Sequence, residues 1–359
     1  MSDIFDIEKY LSDGVEALLS RAVKATFKNP KESAFLARYA VAAKRSAKLR
    51  RQAEVSGEHI PSFLIASITS DCNLSCAGCY ARACNKSEAS EPMSRDDWSR
   101  VFAEAEKIGV AMILLAGGEP LMRKDVILAT AKYKNIIFSI FTNGTMLDGE
   151  YIKLLDRRRN LVPIISIEGN EIQTDTRRGI GVYKQTVEVM KTLREKGLLF
   201  GVSITMTTEN INEVTDASYI DWLRGLGCKV ALFVEYVPFE AKELALGNKE
   251  RGILAGRLNA LRSKYEDMIL ISFPGDEKET GGCLAAGRGF FHINANGGAE
   301  PCPFSPHSDT SLKTATLMDA LQSGLFTSLR DGGLLMKEHM GGCTLFEFDS
   351  AVTAILSAE

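Results

Sequence analysis

The chain has 359 residues, a hydrophobic fraction of 45%, a charged fraction of 25% and a net charge of −3. This length suits one large α/β domain with a smaller appendage, and this charge gives no electrostatic reason to expect a nucleic-acid partner. The first residues are acidic and no eighteen apolar residues follow one another, so we expect a cytoplasmic protein without signal peptide or transmembrane helix. Because cytoplasmic thiols stay reduced, eight cysteines favour metal or cluster ligands over disulfides.

Residues 1–60 are predicted to form a basic helical extension without strands. Apolar residues recur at helical spacing over Asp6–Leu19, and a second helix is predicted over Glu32–Ala53. From Arg21 to Gln52 there are ten Lys or Arg residues and one acid, a local balance of +9. The pattern favours a solvated helix face, with contact to an anionic substrate, a peptide partner or a membrane surface as the alternatives.

Residues 61–265 are predicted to form a partial (β/α)6 barrel of the TIM type. Short β-branched or aromatic runs alternate with amphipathic stretches, as is typical of parallel strands joined by helices. The predicted strands are Phe63–Thr69, Ala111–Ala116, Ile136–Thr142, Ile164–Glu168, Phe200–Met206 and Lys229–Tyr236. The predicted helices include Ser94–Ile108, Asp148–Asp156, Gly181–Lys196 and Val214–Gly225. In such folds the chemistry lies at the carboxyl ends of the strands, and Pro163 is expected just ahead of the fourth strand.

A separate small domain is predicted over residues 266–349, followed by a tail of residues 350–359. Its first part is rich in glycine, with a hairpin signal at Asn294–Gly298, and a helix is predicted near Leu317–Leu329. This domain carries Cys283, Cys302 and Cys343, far in sequence from the other cysteines.

The strongest local signal is the loop after the first predicted strand, which holds Cys72, Cys76 and Cys79. Three thiolates within eight residues can bind three corners of an iron–sulfur cube and leave one iron without a protein ligand. An open metal position is what a catalytic centre needs. A zinc site is the alternative, and Cys84 is interpreted as a partly buried free thiol, because a fourth thiolate would close the open iron.

The next three strands end in a two-glycine turn, a Thr-Asn-Gly run and a Ser-x-Glu pair, and a segment with two arginines follows. These motifs comprise Gly117, Gly118, Glu119 and Pro120, then Thr142, Asn143 and Gly144, then Ser166 and Glu168, and finally Asp175–Gly179 with Arg178 favoured over Arg177. In this order, and together with the three-cysteine loop, they resemble the motifs of the radical S-adenosylmethionine (radical SAM) superfamily.

The resemblance implies that Cys72, Cys76 and Cys79 hold a [4Fe–4S] cluster whose open iron binds SAM. It assigns SAM contacts to Tyr80, Gly117, Gly118, Glu119, Pro120, Asn143, Ser166, Glu168 and Arg178. It further implies reductive cleavage of SAM to a 5′-deoxyadenosyl radical and hydrogen abstraction from a peptide or small-molecule substrate, with flavodoxin or ferredoxin as electron donor. The loop departs from the family at Gly78, where many members have an aromatic residue close to the adenine.

The C-terminal cysteines Cys283, Cys302 and Cys343 resemble those of a Twitch or SPASM domain, which implies an auxiliary iron–sulfur cluster. Three alternatives stay open for this cluster. Its fourth iron has no protein ligand and faces the substrate, or a residue such as His307 binds that iron, or the domain has no cluster. Glu235, at a strand end, is the candidate catalytic residue, with a structural hydrogen-bond acceptor as the alternative. For the whole chain, the alternative to a radical SAM enzyme is a non-catalytic iron–sulfur protein that carries electrons or senses redox state.

Overall fold

The computed structural model describes residues 30–84, 91–275, 281–337 and 343–357. Within these ranges the strands are β1 Phe63–Ser67, β2 Met112–Ala116, β3 Ile137–Thr142, β4 Leu161–Ser166, β5 Gly201–Met206, β6 Val230–Glu235, β7 Ile269–Phe273, β8 His292–Ile293, β9 Gly298–Glu300 and β10 Thr310–Ser311. The α-helices are α1 Pro30–Val55, α2 Tyr80–Cys84, α3 Arg95–Ile108, α4 Lys124–Thr130, α5 Gly149–Arg157, α6 Glu171–Arg178, α7 Val182–Glu195, α8 Ile211–Val214, α9 Ala217–Gly225, α10 Asn248–Lys264, α11 Leu317–Leu321, α12 Gly324–Asp331, α13 Thr344–Glu347 and α14 Asp349–Ser357. None of these helices is long and apolar enough to cross a membrane.

A single ten-stranded sheet runs through the molecule in the order β10-β9-β8-β1-β2-β3-β4-β5-β6-β7. Strands β1 to β7 are parallel, and every connection between them carries at least one helix. The sheet stays open, with β7 and β10 at its two edges. The predicted α/β class and partial (β/α)6 barrel are therefore confirmed, with six βα units and a seventh parallel strand.

Two details of the barrel differ from the sequence prediction. Strand β7 pairs with β6, so the barrel sheet continues past residue 265 into the region predicted as the small domain. Pro163 lies inside β4 rather than ahead of it, opposite Ile140 of β3. The ring is tolerated because β4 pairs with β5 only from Ile164 onward, so no hydrogen bond to β5 is lost at Pro163.

Helix α1 confirms the predicted second basic helix and packs across the amino ends of the strands. Its Phe35 and Tyr39 lie in a small apolar cluster with Ile269, the first residue of β7. The Tyr39 hydroxyl donates a hydrogen bond of 2.7 Å to the carbonyl of Ala111, directly before β2. The predicted helix over Asp6–Leu19 lies outside the described residues.

The charged face of α1 is exposed, as the sequence pattern favours. Lys44, Arg45, Lys48 and Arg51 are all exposed, whereas Arg50 is buried and donates a hydrogen bond of 2.7 Å to the carbonyl of Gly109. This basic face lies at the end of the barrel opposite to the carboxyl ends of the strands, where the chemistry of such folds is found.

Three strands of the C-terminal region, β8 to β10, continue the barrel sheet. The predicted hairpin is present as β8 and β9, and β8 pairs in parallel with β1, with Ile65 opposite His292. The imidazole of His292 bridges the Ser67 hydroxyl, at 2.7 Å, and the Glu300 carboxylate, at 2.6 Å, and all three side chains are buried. The helix predicted near Leu317–Leu329 is interrupted, because the Ser323 hydroxyl caps a second helix by accepting from the Phe326 amide.

Candidate active site

The three-cysteine loop leaves the carboxyl end of β1 and lies over the top of the barrel. All three thiols are free, with Cys72 exposed and Cys76 and Cys79 half-buried. The loop is attached to the barrel by a hydrogen bond of 2.8 Å from the Ala77 amide to the carbonyl of Arg177. Although the residue is exposed, the surrounding protein partly withdraws its thiol from water, and this desolvation, together with the nearby Glu119 carboxylate, raises the pKa of Cys72. A cation bound to these sulfurs would take the place of the thiol protons.

A single metal ion and an iron–sulfur cube make different demands on the side chains around them. Within the described ranges, no three His, Cys, Asp or Glu side chains are arranged to hold a single metal ion. An iron–sulfur cube makes a different demand, because each thiolate binds its own iron at a separate corner.

The two-glycine turn after β2 packs directly against the backbone that leads into Cys72. The Gly118 amide donates to the carbonyl of Thr69 and the Glu119 amide to that of Asp71, both at 2.8 Å. A Cβ atom at Gly117 or Gly118 would overlap those same two carbonyl oxygens. Only glycine permits this approach, so the turn and the cysteine loop form one unit.

Glu119 connects this unit to the end of β3. Its buried carboxylate accepts hydrogen bonds from the Thr142 hydroxyl at 2.7 Å and the Asn143 amide at 2.8 Å. Burial raises the pKa of Glu119 above its ordinary value, although the hydrogen bonds act in the opposite direction. The Asn143 side chain in turn donates to the Asn73 side chain at 2.8 Å, one residue after Cys72. The first three predicted motifs are thus joined by hydrogen bonds.

The ends of β4 and α6 bring the predicted carboxylate and both arginines together. Glu168 Oε1 accepts from Arg177 Nη1 at 2.6 Å and from Arg178 Nε at 2.8 Å, and Glu168 Oε2 accepts from the Thr205 amide at 2.8 Å. Burial alone would raise the pKa of Glu168, but Arg178 and Arg177 outweigh it and hold that pKa below its ordinary value. Ser166 is half-buried at the last position of β4, opposite Ser203 of β5.

Gly78 packs against Tyr236, the residue that directly follows β6, a contact that the sequence did not reveal. Gly78 has a φ of +59°, and a Cβ atom there would lie 2.6 Å from the Tyr236 hydroxyl and 2.7 Å from the ring. The Tyr236 hydroxyl also donates a hydrogen bond of 2.6 Å to the carbonyl of Glu240, which fixes the ring. An aromatic ring therefore contacts the loop at Gly78, but it comes from the end of β6 and not from the loop itself.

Tyr80 and Glu235 have partners of their own in the structure. The Tyr80 ring meets the Phe304 ring edge-on at 5.1 Å, so it faces the C-terminal region. The buried Glu235 carboxylate accepts a hydrogen bond of 2.7 Å from Arg251 Nε. The adenine contact of Tyr80 and the catalytic role of Glu235 both stay predictions.

Two of the C-terminal cysteines, Cys283 and Cys343, lie near the third, Cys302. Cys283, Cys302 and Cys343 are buried, the Cys302 and Cys343 thiols share a hydrogen bond, and the Cys283 thiol acts electrostatically on Cys302. Burial, reinforced by these two neighbouring thiols, raises the pKa of Cys302 well above its ordinary value. His307 Nε2 lies 2.6 Å from Asp349 Oδ1 and is thus engaged by a carboxylate.

Fold and site together define an α/β partial-barrel enzyme with a three-thiol loop at the carboxyl ends of its strands. Residues 66–218 match the radical SAM superfamily. An AdoMet-dependent heme synthase of Methanosarcina barkeri is 26% identical over 320 residues, 80% of this chain and 89% of that protein. The sporulation killing factor maturation protein SkfB of Bacillus subtilis is 28% identical over 218 residues, 59% of this chain but only 49% of that protein.

The solved structures agree in fold. SuiB of Streptococcus suis bound to S-adenosylmethionine superposes with a TM-score of 0.66 at 16% sequence identity, covering 83% of this chain and 77% of that one. At this identity the likeness concerns the fold alone. The chain thus contains a radical SAM domain over residues 66–218 and is an enzyme.

Proposed function

We propose that this enzyme cleaves SAM reductively at a [4Fe–4S] cluster held by Cys72, Cys76 and Cys79, and that it modifies a peptide by hydrogen-atom abstraction. The observation that carries the proposal is the attachment of the three-thiol loop to the Gly117–Glu119 turn and to Asn143. Bound together, cluster and SAM would supply a 5′-deoxyadenosyl radical. The residues of this chain position both groups and keep water away from them.

The residues present suit both groups. Three free thiols on one loop are the donor set that a cube with one open iron requires. The glycine turn presents backbone beside the loop for the methionine amino group, in which role we place Gly117, Gly118, Glu119 and Pro120. Arg178 would meet the SAM carboxylate with a directional guanidinium pair, oriented by Glu168 on its other side.

A peptide substrate is supported by several relatives and neighbours. The relatives include PqqA peptide cyclase of Rhizobium meliloti, 26% identical over 67% of this chain, and the SuiB fold has been solved with its precursor peptide SuiA. The second candidate substrate is a tetrapyrrole. It is favoured by the similarity to the heme synthase, whose alignment with this chain extends over 320 residues. A low-potential flavodoxin or ferredoxin is the proposed electron donor.

The C-terminal thiols are proposed to hold the auxiliary iron–sulfur cluster. Two buried hydroxyl groups close to them, those of Ser305 and Thr344, find no hydrogen-bond partner among the described residues. Ser305 lies on the turn that starts at Cys302, and Thr344 follows Cys343. Unpaired buried hydroxyls are rare, and the sulfides of a cluster would accept their hydrogen bonds.

The test is an anaerobic assay of the reconstituted full chain with SAM and a strong reductant. We expect 5′-deoxyadenosine from the wild type and from Cys228→Ala, whose cysteine is buried in the core. Deuterium from a labelled peptide or a labelled tetrapyrrole in the 5′-deoxyadenosine would then identify the substrate class. A cluster without any 5′-deoxyadenosine would contradict the proposal and favour an electron carrier or redox sensor.

A further inference from the structure

Helix α2 links the three-cysteine loop to the C-terminal thiols. It starts at Tyr80, directly after Cys79, and ends at Cys84, and the Ala83 amide donates a hydrogen bond of 3.1 Å to the carbonyl of Cys79. The Tyr80 ring contacts the Phe304 ring, two residues beyond Cys302. Residues four apart on a helix share one face, so Cys84 lies on the face that packs towards the Cys302 turn.

The Cys84 thiol is close enough to the C-terminal cysteine Cys343 to interact with it electrostatically. The groups acting on the half-buried Cys84 thiol include Glu300, Cys79 and Cys343. The buried Cys302 thiol is likewise among the groups acting on Tyr80, which places the start of α2 beside the same cluster of sulfurs. Cys84 is thus near Cys343, and Tyr80, on the same face of α2, is near Cys302.

His307, the alternative fourth ligand of the auxiliary cluster, is less suitable than Cys84. One ring nitrogen of His307 is engaged by Asp349, whose own side chain is 56% exposed at the start of α14. A four-thiolate set is the usual protein environment of a [4Fe–4S] cluster, whereas a histidine ligand is the exception.

We propose that Cys84 is the fourth protein ligand of the auxiliary cluster, together with Cys283, Cys302 and Cys343. This inference rests on the proposed auxiliary cluster and replaces the interpretation of Cys84 as a free thiol. A cluster with four thiolates has no open iron, so it can transfer electrons but cannot bind the substrate. The same short helix would then carry ligands of both clusters at its two ends, Cys79 just before it and Cys84 at its last residue.

The experiment separates the two clusters in the full-length chain. The variant in which Cys72, Cys76 and Cys79 are all replaced by alanine is reconstituted with iron and sulfide, and we expect about four iron atoms per chain and a single paramagnetic signal on reduction. Adding Cys84→Ala should reduce the iron to about three per chain or fewer and change the signal, whereas adding His307→Ala should change neither. An added small thiol should restore the original signal to the Cys84→Ala protein, which loss of folding would not allow.

Each other result counts against the inference in a distinct way. An unchanged signal in Cys84→Ala, or a change in His307→Ala alone, would overturn the assignment of Cys84 and leave the auxiliary cluster standing. A protein without the three loop cysteines that retains no iron would overturn the auxiliary cluster and Cys84 together. Formation of 5′-deoxyadenosine by the wild type would still establish the proposed function at the loop.

Discussion

The two groups of cysteines differ in how far they are open to solvent. In the loop, Cys72 is exposed and its neighbours are half-buried, whereas the C-terminal Cys283, Cys302 and Cys343 are 7%, 2% and 9% exposed. The loop stands at the strand ends, where a cofactor and a substrate can enter, and the second group is enclosed between the barrel and the C-terminal helices. The proposed loop cluster would therefore be accessible, and the proposed auxiliary cluster would be shielded from solvent.

The largest expected effect follows from removing one thiol of the loop. Cys76→Ala should abolish 5′-deoxyadenosine formation, because it removes a direct ligand of the cluster. Loss of a residue that only supports a metal ligand lowers activity about 10- to 100-fold, so the loss here should be larger. The measurement is product by chromatography after anaerobic reconstitution, with Cys228→Ala as the matched control. Retention of activity in Cys76→Ala would remove the distinction between an accessible catalytic centre and a shielded one.

A smaller effect is expected from the carboxylate that orients the arginines. Glu168→Gln leaves Arg177 and Arg178 without a counter-charge in a buried position, and breaking a buried ion pair in this way costs about 3 to 5 kcal/mol. Chemical denaturation at pH 7 measures the free energy of unfolding. Glu188→Gln, on the exposed surface of α7, provides the control and should change it by less than about 0.5 kcal/mol.

The same variant has a defined pH dependence. Because the folded pKa of Glu168 lies below its ordinary value of 4.5, its contribution to stability is present above that value and is lost as the pH falls through the folded pKa. The wild type should therefore lose its advantage over Glu168→Gln only below about pH 4.5. An advantage that disappears near pH 7 instead would contradict the proposed origin of the effect.

The contact between Gly78 and Tyr236 should give a loss of intermediate size. Gly78→Ala places a methyl group against the fixed tyrosine ring and occupies a left-handed backbone position, so we expect a destabilisation of about 1 to 3 kcal/mol and weaker retention of the loop iron. The double variant Gly78→Ala with Tyr236→Ala removes the steric clash and should be less destabilised than the sum of the two single variants. Additive losses would show that the ring and the loop are independent.

The smallest effect is expected at the opposite end of the barrel. Charge reversal at the exposed Lys44, Arg45, Lys48 and Arg51 should leave 5′-deoxyadenosine formation unchanged, because α1 packs across the amino ends of the strands. The assay is repeated at low and high salt, since charge-mediated substrate docking would weaken steeply with salt. Loss of turnover in this variant would give the basic face a functional role.

Local patterns were sufficient to predict much of the barrel and its motifs. The alternation of apolar runs and amphipathic stretches predicted six strands within a few residues, and the helix predicted over Ser94–Ile108 is present as α3. The strand-end motifs could be placed on one edge because parallel strands present their carboxyl ends together. Strand β7 was missed, since a short apolar run does not reveal its partner strand.

The sequence by itself determined the barrel class, the three-thiol loop and the order of its strand-end motifs, because each depends on residues that are near in the chain. Only the tertiary structure decided that Tyr236 covers Gly78, that β8 joins β1, and that Cys84 lies near Cys343. These are contacts between segments far apart in sequence. No local spacing encodes them, and they form when the sheet brings β1, β6 and β8 to the same end of the molecule.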